Sequence, residues 1–284
     1  MPAPQPHLGV CSWSLEPTSP ADLVNKVKDS GLRAIQLALD PIRTDPTTWP
    51  LKDTWKRLDH AGISVASGMM TMKGEDYSTI ESIRRTGGIR MDEHWEANLA
   101  AAKANAEIAH QYGLEMVTFH AGFIPESPKD RERTKIVERI IEIAECFAEH
   151  DITIALETGQ ETADTLRSVM DDIDHPMIGV NFDPGNMILY GTGDPVQAVK
   201  DLALFIDQIH IKDATPPASP GVWGKEVVIG QGAVNWQDFF AALLEEEVEC
   251  DMMIEREAGS SRVADIRAGA AYLSQFNLGA GNER

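Results

Sequence analysis

Short apolar, β-branched runs alternate with longer stretches along the chain. The runs are nearly continuous rather than strictly alternating, as expected for strands buried on both faces of a parallel sheet. Eight of them occur: LGVCSWS, AIQLALD, ISVASGMM, MVTFHAG, TIALETG, IGVNFD, FIDQIHIKD and DMMIERE. In the stretch after each run, apolar residues recur at helical spacing. The pattern therefore predicts eight strands that alternate with eight helices.

Capping residues support the predicted helices. Ser19 and Pro20 stand where the first helix would begin, and Gly31 stands where it would end. A serine cap, a proline in the first turn and a glycine after the last turn are the usual signals of helix termini. A long alanine-rich helix is likewise predicted to end at Gly113.

The alternation of strands and helices indicates an α/β fold, and the length selects its architecture. A chain of 284 residues suits a single (β/α)8 TIM barrel, which typically has about 250 residues. An open, doubly wound sheet is the competing fold, but no glycine-rich phosphate turn follows the first strand. We expect a disordered lead-in over residues 1–7 and one TIM barrel domain over residues 8–284.

Charge and composition narrow the range of partners and compartments. The formal net charge of -20 would repel polyanions, which argues against binding to nucleic acid. No apolar stretch approaches the roughly 20 residues that a membrane-spanning helix needs, and the first residues lack the basic start of a secretory signal. The three cysteines are odd in number, which favours a reduced cytoplasm. We expect a cytoplasmic protein that binds neither nucleic acid nor membranes.

Four predicted strands carry a potential metal ligand at their C-terminal ends. Glu157 ends the fifth strand, Asp183 the sixth, His210 the seventh and Glu255 the eighth. Their sequence separations are 26, 27 and 45 residues, each close to one βα unit, with the last lengthened by a long loop. Because the C-terminal ends of all barrel strands meet at one face, we expect these four side chains to converge.

Three carboxylates and one imidazole form an oxygen-rich site. Such a site suits Mn²⁺, Mg²⁺ or Co²⁺, and Zn²⁺ is also compatible, whereas softer metals usually recruit thiolates. Without a cation, the crowded acids would repel one another and some would become protonated. We predict one divalent ion, with Mn²⁺ favoured, held by Glu157, Asp183, His210 and Glu255.

Five motifs of the chain resemble those of a known superfamily: LETG, NFDPGN, IHIKDA, IGQGAVNW and IERE. They are similar to those of the sugar phosphate isomerase/epimerase superfamily, the xylose isomerase-like TIM barrels, and the likeness is strongest over residues 153–257. The resemblance implies the same four metal ligands. It also implies a metal-dependent isomerase or epimerase of a small ketose or ketose phosphate, nearest in motif to ketose-phosphate 3-epimerases. Barrels of this kind commonly form homo-oligomers, although no stretch of this sequence marks an interface.

Glu157 and Glu255 are predicted to transfer protons as well as to bind the metal. A cation bound to a ketose carbonyl and its neighbouring hydroxyl acidifies the adjacent C–H, because it stabilises the enediolate. Two glutamates on opposite faces of the substrate would remove a proton and return it from the other side, which inverts the carbon. For an isomerase, one base on one face suffices.

Three further residues are expected to bind the substrate. Trp13 ends the first strand and His120 ends the fourth, so both would face the active end of the barrel. Asn186 follows Asp183 by three residues. It resembles the phosphopentulose 3-epimerase group, whereas several ketose 3-epimerases have histidine at this position.

Two lysines complete the predicted substrate-binding set. Lys212 lies two residues beyond His210, so the two would point the same way along a strand. The alternative role of Lys212 is an ion pair with Asp213. Lys225 stands in the long loop after the seventh strand, where barrels often bind phosphate, and the alternative is a solvated loop lysine.

Three other functions compete with the predicted isomerase or epimerase activity. A dehydratase of an inosose-like keto-polyol would use the same metal site to expel a β-hydroxyl group. A DNA-repair enzyme of this superfamily would need three metals and more histidines than His120 and His210, the two at predicted strand ends. A carbohydrate-binding barrel without activity would not need the complete ligand set.

Overall fold

A computed structural model describes residues 8–276 apart from residue 220. Eight parallel strands close into a barrel in the order β1-β10-β7-β6-β5-β4-β3-β2, which confirms the predicted TIM barrel. The predicted lead-in over residues 1–7 lies outside the described residues, as do residues 277–284. The strands are β1 Leu8–Cys11, β2 Ala34–Ala38, β3 Ser64–Met69, β4 Met116–Phe119, β5 Thr153–Glu157, β6 Ile178–Phe182, β7 Ile206–Ile211, β8 Asp213–Thr215, β9 Lys225–Val227 and β10 Asp251–Ile254.

Eleven α-helices occur in the part of the chain that the structure describes, three more than predicted, because short helices form within the long loops. They are α1 Pro20–Ser30, α2 Asp40–Thr44, α3 Leu51–His60, α4 Ile80–Thr86, α5 Asp92–Tyr112, α6 Arg131–Ala148, α7 Ala163–Ile173, α8 Pro184–Tyr190, α9 Pro195–Leu202, α10 Trp236–Glu245 and α11 Arg262–Leu273. Ser19 caps α1 by accepting the N–H of Asp22, and Gly31 and Gly113 end α1 and α5 with positive φ. None of the described helices combines the length and the apolar character needed to cross a bilayer.

The long segment after β7 contains a hairpin that the sequence pattern did not predict. Strands β8 and β9 pair antiparallel, outside the barrel. Asp213, at the start of β8, is buried and accepts the N–H groups of Gly230 at 2.8 Å and Gly232 at 3.0 Å. It also accepts the indole N–H of Trp236 at 3.1 Å. These bonds fix the loop that leads from the hairpin to α10.

The inside of the barrel is partly polar. The side chains of Ser67 on β3 and Gln208 on β7 meet at 2.5 Å, although these strands are not neighbours in the sheet. This hydrogen bond therefore crosses the interior. His210 lies two residues beyond Gln208, and because side chains alternate along a strand, it points into the same interior near the C-terminal ends of the strands.

Candidate active site

The four predicted metal ligands come together at the C-terminal end of the barrel. Each of Glu157, Asp183, His210 and Glu255 offers one ligand atom, and these atoms all lie within 4.8 Å of one another. All four residues are buried. Glu157 is the last residue of β5, His210 lies on β7, and the other two directly follow β6 and β10.

The start of α8 determines the position of Asp183. Its Oδ1 accepts the N–H of Asn186 at 2.9 Å, so this carboxylate caps the helix. Capping satisfies one of the free N–H groups of the first turn. The other oxygen, Oδ2, is buried and has no hydrogen-bond partner among the described residues. One carboxylate oxygen thus caps the helix, and the second faces the cluster.

Gln36 orients the His210 ring from the opposite side. Its amide nitrogen donates to the Gly68 carbonyl at 3.2 Å and to Thr118 Oγ1 at 3.0 Å. These two bonds leave Gln36 Oε1 as an acceptor, 2.6 Å from His210 Nε2. His210 Nε2 must therefore carry the proton that it donates, and Nδ1 faces Glu157 Oε1 at 3.2 Å. A hydrogen bond of this kind fixes the tautomer of a metal-binding histidine.

Glu255 is held by two donors from different parts of the barrel. Trp13 donates its indole N–H to Glu255 Oε1 at 2.7 Å. Lys212 Nζ lies 2.5 Å from Glu255 Oε2, and the same ammonium group contacts Asn186 Oδ1 at 3.1 Å and Glu257 Oε2 at 2.9 Å. Both oxygens of Glu255 are thereby fixed in position.

Burial and neighbouring charges shift the pKa values of the cluster in opposite directions. Burial holds the pKa of Asp183 well above its ordinary range, and the Lys212 ammonium offsets this only in part. Burial would also raise the pKa of Glu255, but Lys212 and His210 together hold it well below its ordinary range. The pKa of Glu157 is lowered in a similar way, because His120 and His210 outweigh the effect of burial. The pKa of one acid of the cluster is thus raised, while the pKa values of the other two are lowered.

The donor set fits a hard divalent cation. Three carboxylates and an imidazole nitrogen converge within reach of a single ion, and Asp183 Oδ2 is a buried oxygen without a hydrogen-bond partner. Buried polar atoms are normally paired, so an orphaned carboxylate oxygen in such a cluster calls for a further partner. Oxygen-rich ligand sets of this kind suit Mg²⁺ and Mn²⁺.

His120 and Asn186 lie on either side of Glu157. His120 Nε2 is 3.3 Å from Glu157 Oε2, and Asn186 Nδ2 donates to Glu157 Oε1 at 2.9 Å. Both residues also line a cavity of about 630 Å³ that opens next to the cluster. Trp13 and Glu255 line it as well. The structure therefore brings three of the predicted substrate-binding residues to one cavity.

The structure places the two predicted lysines differently. Lys212 is buried, and its ammonium group contacts carboxylates and Asn186. The alternative prediction, an ion pair between Lys212 and Asp213, is wrong, because Asp213 accepts backbone N–H groups instead. Lys225 lies on β9 with an exposed side chain and does not line the cavity.

Several residues of the site were missed in the sequence, among them Gln36, Glu75 and Tyr77. Gln36 stands in the apolar run AIQLALD. Because a buried amide needs specific hydrogen-bond partners, a glutamine within this run could have indicated a polar contact inside the barrel. Glu75 and Tyr77 line the cavity from the long loop after β3. No strand-end pattern points to them, because the position of such a loop depends on its tertiary contacts.

Curated relatives match part of the chain. It is 36% identical over 87 residues to 3-dehydroshikimate dehydratase of Bacillus anthracis, which is 29% of this chain and 31% of that protein. It is 26% identical over 116 residues to inosose dehydratase of Clostridium botulinum (strain Eklund 17B / Type B), which is 37% of this chain and 39% of that protein. The matched segments thus span between about a third and two fifths of the curated relatives.

Solved structures match nearly the whole chain. A xylose isomerase domain protein from Planctomyces limnophilus superposes with a TM-score of 0.85 at 29% identity, covering 97% of this chain and 98% of that chain. L-ribulose 3-epimerase gives a TM-score of 0.72 at 15% identity, covering 99% of this chain and 100% of that chain. A Mycobacterium smegmatis xylose isomerase-like TIM barrel protein in complex with magnesium gives a TM-score of 0.70 at 16% identity, covering 95% of this chain and 96% of that chain. At their low identities, the last two show a shared fold.

The family comparison covers most of the chain and agrees with the closed barrel. The sequence model described as xylose isomerase-like TIM barrel matches residues 24–276. This range includes β2 to β10 and therefore all four residues of the buried cluster. The chain belongs to the xylose isomerase-like TIM barrel family.

Proposed function

We propose that the protein is a divalent-metal-dependent enzyme that moves a proton at the carbon beside a carbonyl group, with isomerisation or epimerisation of a small ketose or ketose phosphate as the net reaction. One observation carries the proposal: two buried glutamates, Glu157 and Glu255, converge with Asp183 and His210 beside a cavity of about 630 Å³.

Glu157, Asp183, His210 and Glu255 would hold the ion, and Mn²⁺ is the first choice for this donor set. When bound, the cation supplies Lewis-acid polarisation of a carbonyl oxygen, which makes the adjacent C–H more acidic. The protein supplies the groups that accept and return the proton.

The separation of Glu157 and Glu255 around the barrel supports roles for them as base and acid. They end β5 and follow β10, which are separated in the barrel by β6 and β7. Each has one oxygen fixed by a neutral donor: Asn186 binds Glu157 Oε1 and Trp13 binds Glu255 Oε1. A carboxylate held in this way presents its proton-accepting oxygen in a defined direction, which proton transfer in a transition state requires.

Neighbouring groups keep both glutamates ionised. Lys212 and His210 hold the pKa of Glu255 well below its ordinary range against the effect of burial. His120 and His210 lower the pKa of Glu157 against the same effect. The glutamate that starts deprotonated can take the proton from carbon, whereas the second glutamate must first gain a proton from solvent before it can return one to the opposite face.

The proposal is tested by deuterium exchange in D₂O over a panel of ketoses, ketose phosphates and inososes, with Mn²⁺ and with EDTA as the control. We expect Mn²⁺-dependent deuterium at the carbon beside the carbonyl, detected by NMR and mass spectrometry. The configuration of that carbon then separates epimerase from isomerase. No exchange with any compound, in protein that binds Mn²⁺ tightly, would contradict the proposal.

Dehydration is the second candidate, because the two curated relatives described above are named as dehydratases. His120 Nε2 lies beside Glu157 Oε2 at 3.3 Å and lines the cavity, so it could protonate a departing hydroxyl group. Loss of the carbon-bound proton and of that hydroxyl releases one water and leaves an unsaturated ketone. Loss of the mass of water from an inosose, with no isomer exchange among ketoses, would favour this candidate.

A further inference from the structure

The cavity beside the cluster is larger than a small sugar requires. It measures about 630 Å³, and cavities of about 300 to 1,000 Å³ typically hold drug-sized ligands. The reacting end is defined by His120, Asn186 and Glu255. Space therefore extends beyond the position where a carbonyl group would meet the cluster.

The wall beyond the reacting end is aromatic. Tyr190 and Trp223 line it, with their ring centroids 4.9 Å apart and inclined at 60°. Tyr77, about half exposed, adds a third ring to the lining. Phe123, which is not a lining residue, packs against Tyr190 with centroids 5.5 Å apart. Such side chains offer apolar faces on which an uncharged ring can stack.

This aromatic wall is attached rigidly to the reacting end. Asn186 and Tyr190 both lie on α8, four residues apart, so their side chains share one face and are separated by about one helical turn of 5.4 Å. The N–H of Gly224 donates to the Leu189 carbonyl at 3.0 Å, which holds the neighbouring Trp223 against the same helix. A ring bound at Tyr190 and Trp223 would therefore be adjacent to a ring bound at Asn186.

The cavity lining offers no cationic side chain to a phosphate. The described lining residues include Asp40, Glu75, Glu255 and Glu257 but no arginine or lysine. The nearby Lys212 ammonium is already occupied by Glu255, Glu257 and Asn186. An uncharged ring needs no such counter-charge, so this lining favours it over an anionic group.

We infer that Tyr190 and Trp223 form a subsite for a second, uncharged ring, so that the ketose substrate is a keto-sugar that carries a neutral sugar or aryl group beyond its reacting carbonyl. This inference rests on the proposed function for the reacting end only. The subsite itself is a binding site, and it can be measured without turnover.

The test is calorimetric binding of three probes that lack a free carbonyl group, to the full chain with Mn²⁺ present: methyl glucoside, phenyl glucoside and methyl glucoside 6-phosphate. We expect phenyl glucoside to bind roughly tenfold tighter than methyl glucoside, which corresponds to about 1.4 kcal/mol, and methyl glucoside 6-phosphate to bind no tighter than methyl glucoside. Trp223→Ala should remove the advantage of the phenyl group, and Trp223→Phe should keep most of it. Trp55→Ala is the matched control, because Trp55 packs on Tyr112 and does not line the cavity.

Two results would overturn the inference: tighter binding of the phosphate than of methyl glucoside, or a phenyl advantage that is absent or survives in Trp223→Ala. If the alanine variant fails to fold, Tyr190→Ala applies the same test from the other ring. Because these probes do not react, absence of proton transfer in the D₂O experiment would count against the proposed function and would leave the binding result intact.

Discussion

Gln36 and His210 meet across the barrel interior, with Gln36 Oε1 lying 2.6 Å from His210 Nε2. The contact joins β2 to β7, which are not neighbours in the sheet. The sheet register shifts at Gln36, between β2 and β3, and such irregularities redirect side chains. The hydrogen bond leaves His210 Nδ1 facing the carboxylates, so a residue outside the ligand set controls how the imidazole is presented.

Gln36→Leu should weaken metal binding, because loss of the group that orients a metal-binding histidine typically costs about 10- to 100-fold in affinity. Gln36→Glu keeps an acceptor for His210 Nε2 and should retain the affinity. Calorimetric titration with Mn²⁺ measures both. Gln208→Leu serves as the control, since Gln208 is also buried in the barrel but contacts Ser67. Equal affinities of Gln36→Leu and the wild type would show that Gln36 has no such role.

Glu255→Gln keeps an oxygen that can bind a metal but removes the proton acceptor. We expect a folded protein whose deuterium exchange with substrate falls by about 10²- to 10⁴-fold, the usual contribution of a general acid or base. Glu245→Gln is the matched control, because Glu245 lies on α10 and pairs with Lys200 at the surface. Exchange at near the wild-type rate would exclude Glu255 as the acid or base.

Asp183→Asn should abolish stabilisation by the metal without lowering the stability of the metal-free protein. Asparagine retains the helix cap but removes a charge whose pKa burial holds well above its ordinary range. The metal-free variant should therefore be at least as stable as the wild type. In the wild type, Mn²⁺ at about 100 times its Kd should add about 2.7 kcal/mol to the free energy of unfolding. In Asp183→Asn this gain should disappear, because the amide oxygen caps the helix as Oδ1 does now and leaves the amide nitrogen, which is no metal ligand, facing the cluster.

Thermal unfolding with and without Mn²⁺ checks the Asp183→Asn prediction. Asp194→Asn is the control, since Asp194 caps α9 through the N–H of Val196 but is not among the four clustered ligands. A full Mn²⁺ effect in Asp183→Asn would remove Asp183 from the ligand set.

Asp40 should make the stability of the barrel dependent on pH. Burial would raise its pKa, but hydrogen bonds from Arg43, Thr71 and Asn105 hold it below its ordinary value. A carboxyl group with a lowered pKa stabilises the fold above its ordinary pKa of about 3.9, and this contribution is lost as the pH falls through the folded value.

Asp40→Asn is accordingly expected to lower the free energy of unfolding by about 1 to 3 kcal/mol at pH 7, with a smaller difference at about pH 3. Urea unfolding at the two pH values measures this. Asp53→Asn, which affects an exposed pair with Arg57, should change stability by less than about 1 kcal/mol. A difference for Asp40→Asn that is the same at both pH values would rule out the charge as its cause.

The fold and the ligand cluster were predictable because both follow from periodic features of the sequence. Buried parallel strands give continuous apolar runs, and the barrel brings their C-terminal ends to one face. Glu157 and His210 could therefore be predicted to lie together despite a sequence separation of 53 residues. Gly31 and Gly113 likewise end helices as local capping rules predict.

Features that depend on tertiary packing were not predictable in this way. The β8–β9 hairpin forms within an apparent loop, and Asp213 fixes the following segment through backbone N–H groups that no side-chain pattern reveals. Trp223 reaches the cavity because Gly224 bonds to α8. Lys212 and Asp213 are adjacent in sequence but have different partners, since neighbouring residues of an extended chain point to opposite sides.

The most direct measurement titrates Mn²⁺ into metal-free protein while electron paramagnetic resonance follows bound Mn²⁺ and NMR follows deuterium incorporation into substrate. We predict that both signals saturate together at one Mn²⁺ per chain, and that Glu157→Gln retains bound Mn²⁺ but loses exchange. Full exchange in metal-free protein, or in the Glu157→Gln variant, would contradict a cluster in which a divalent ion and this glutamate act together.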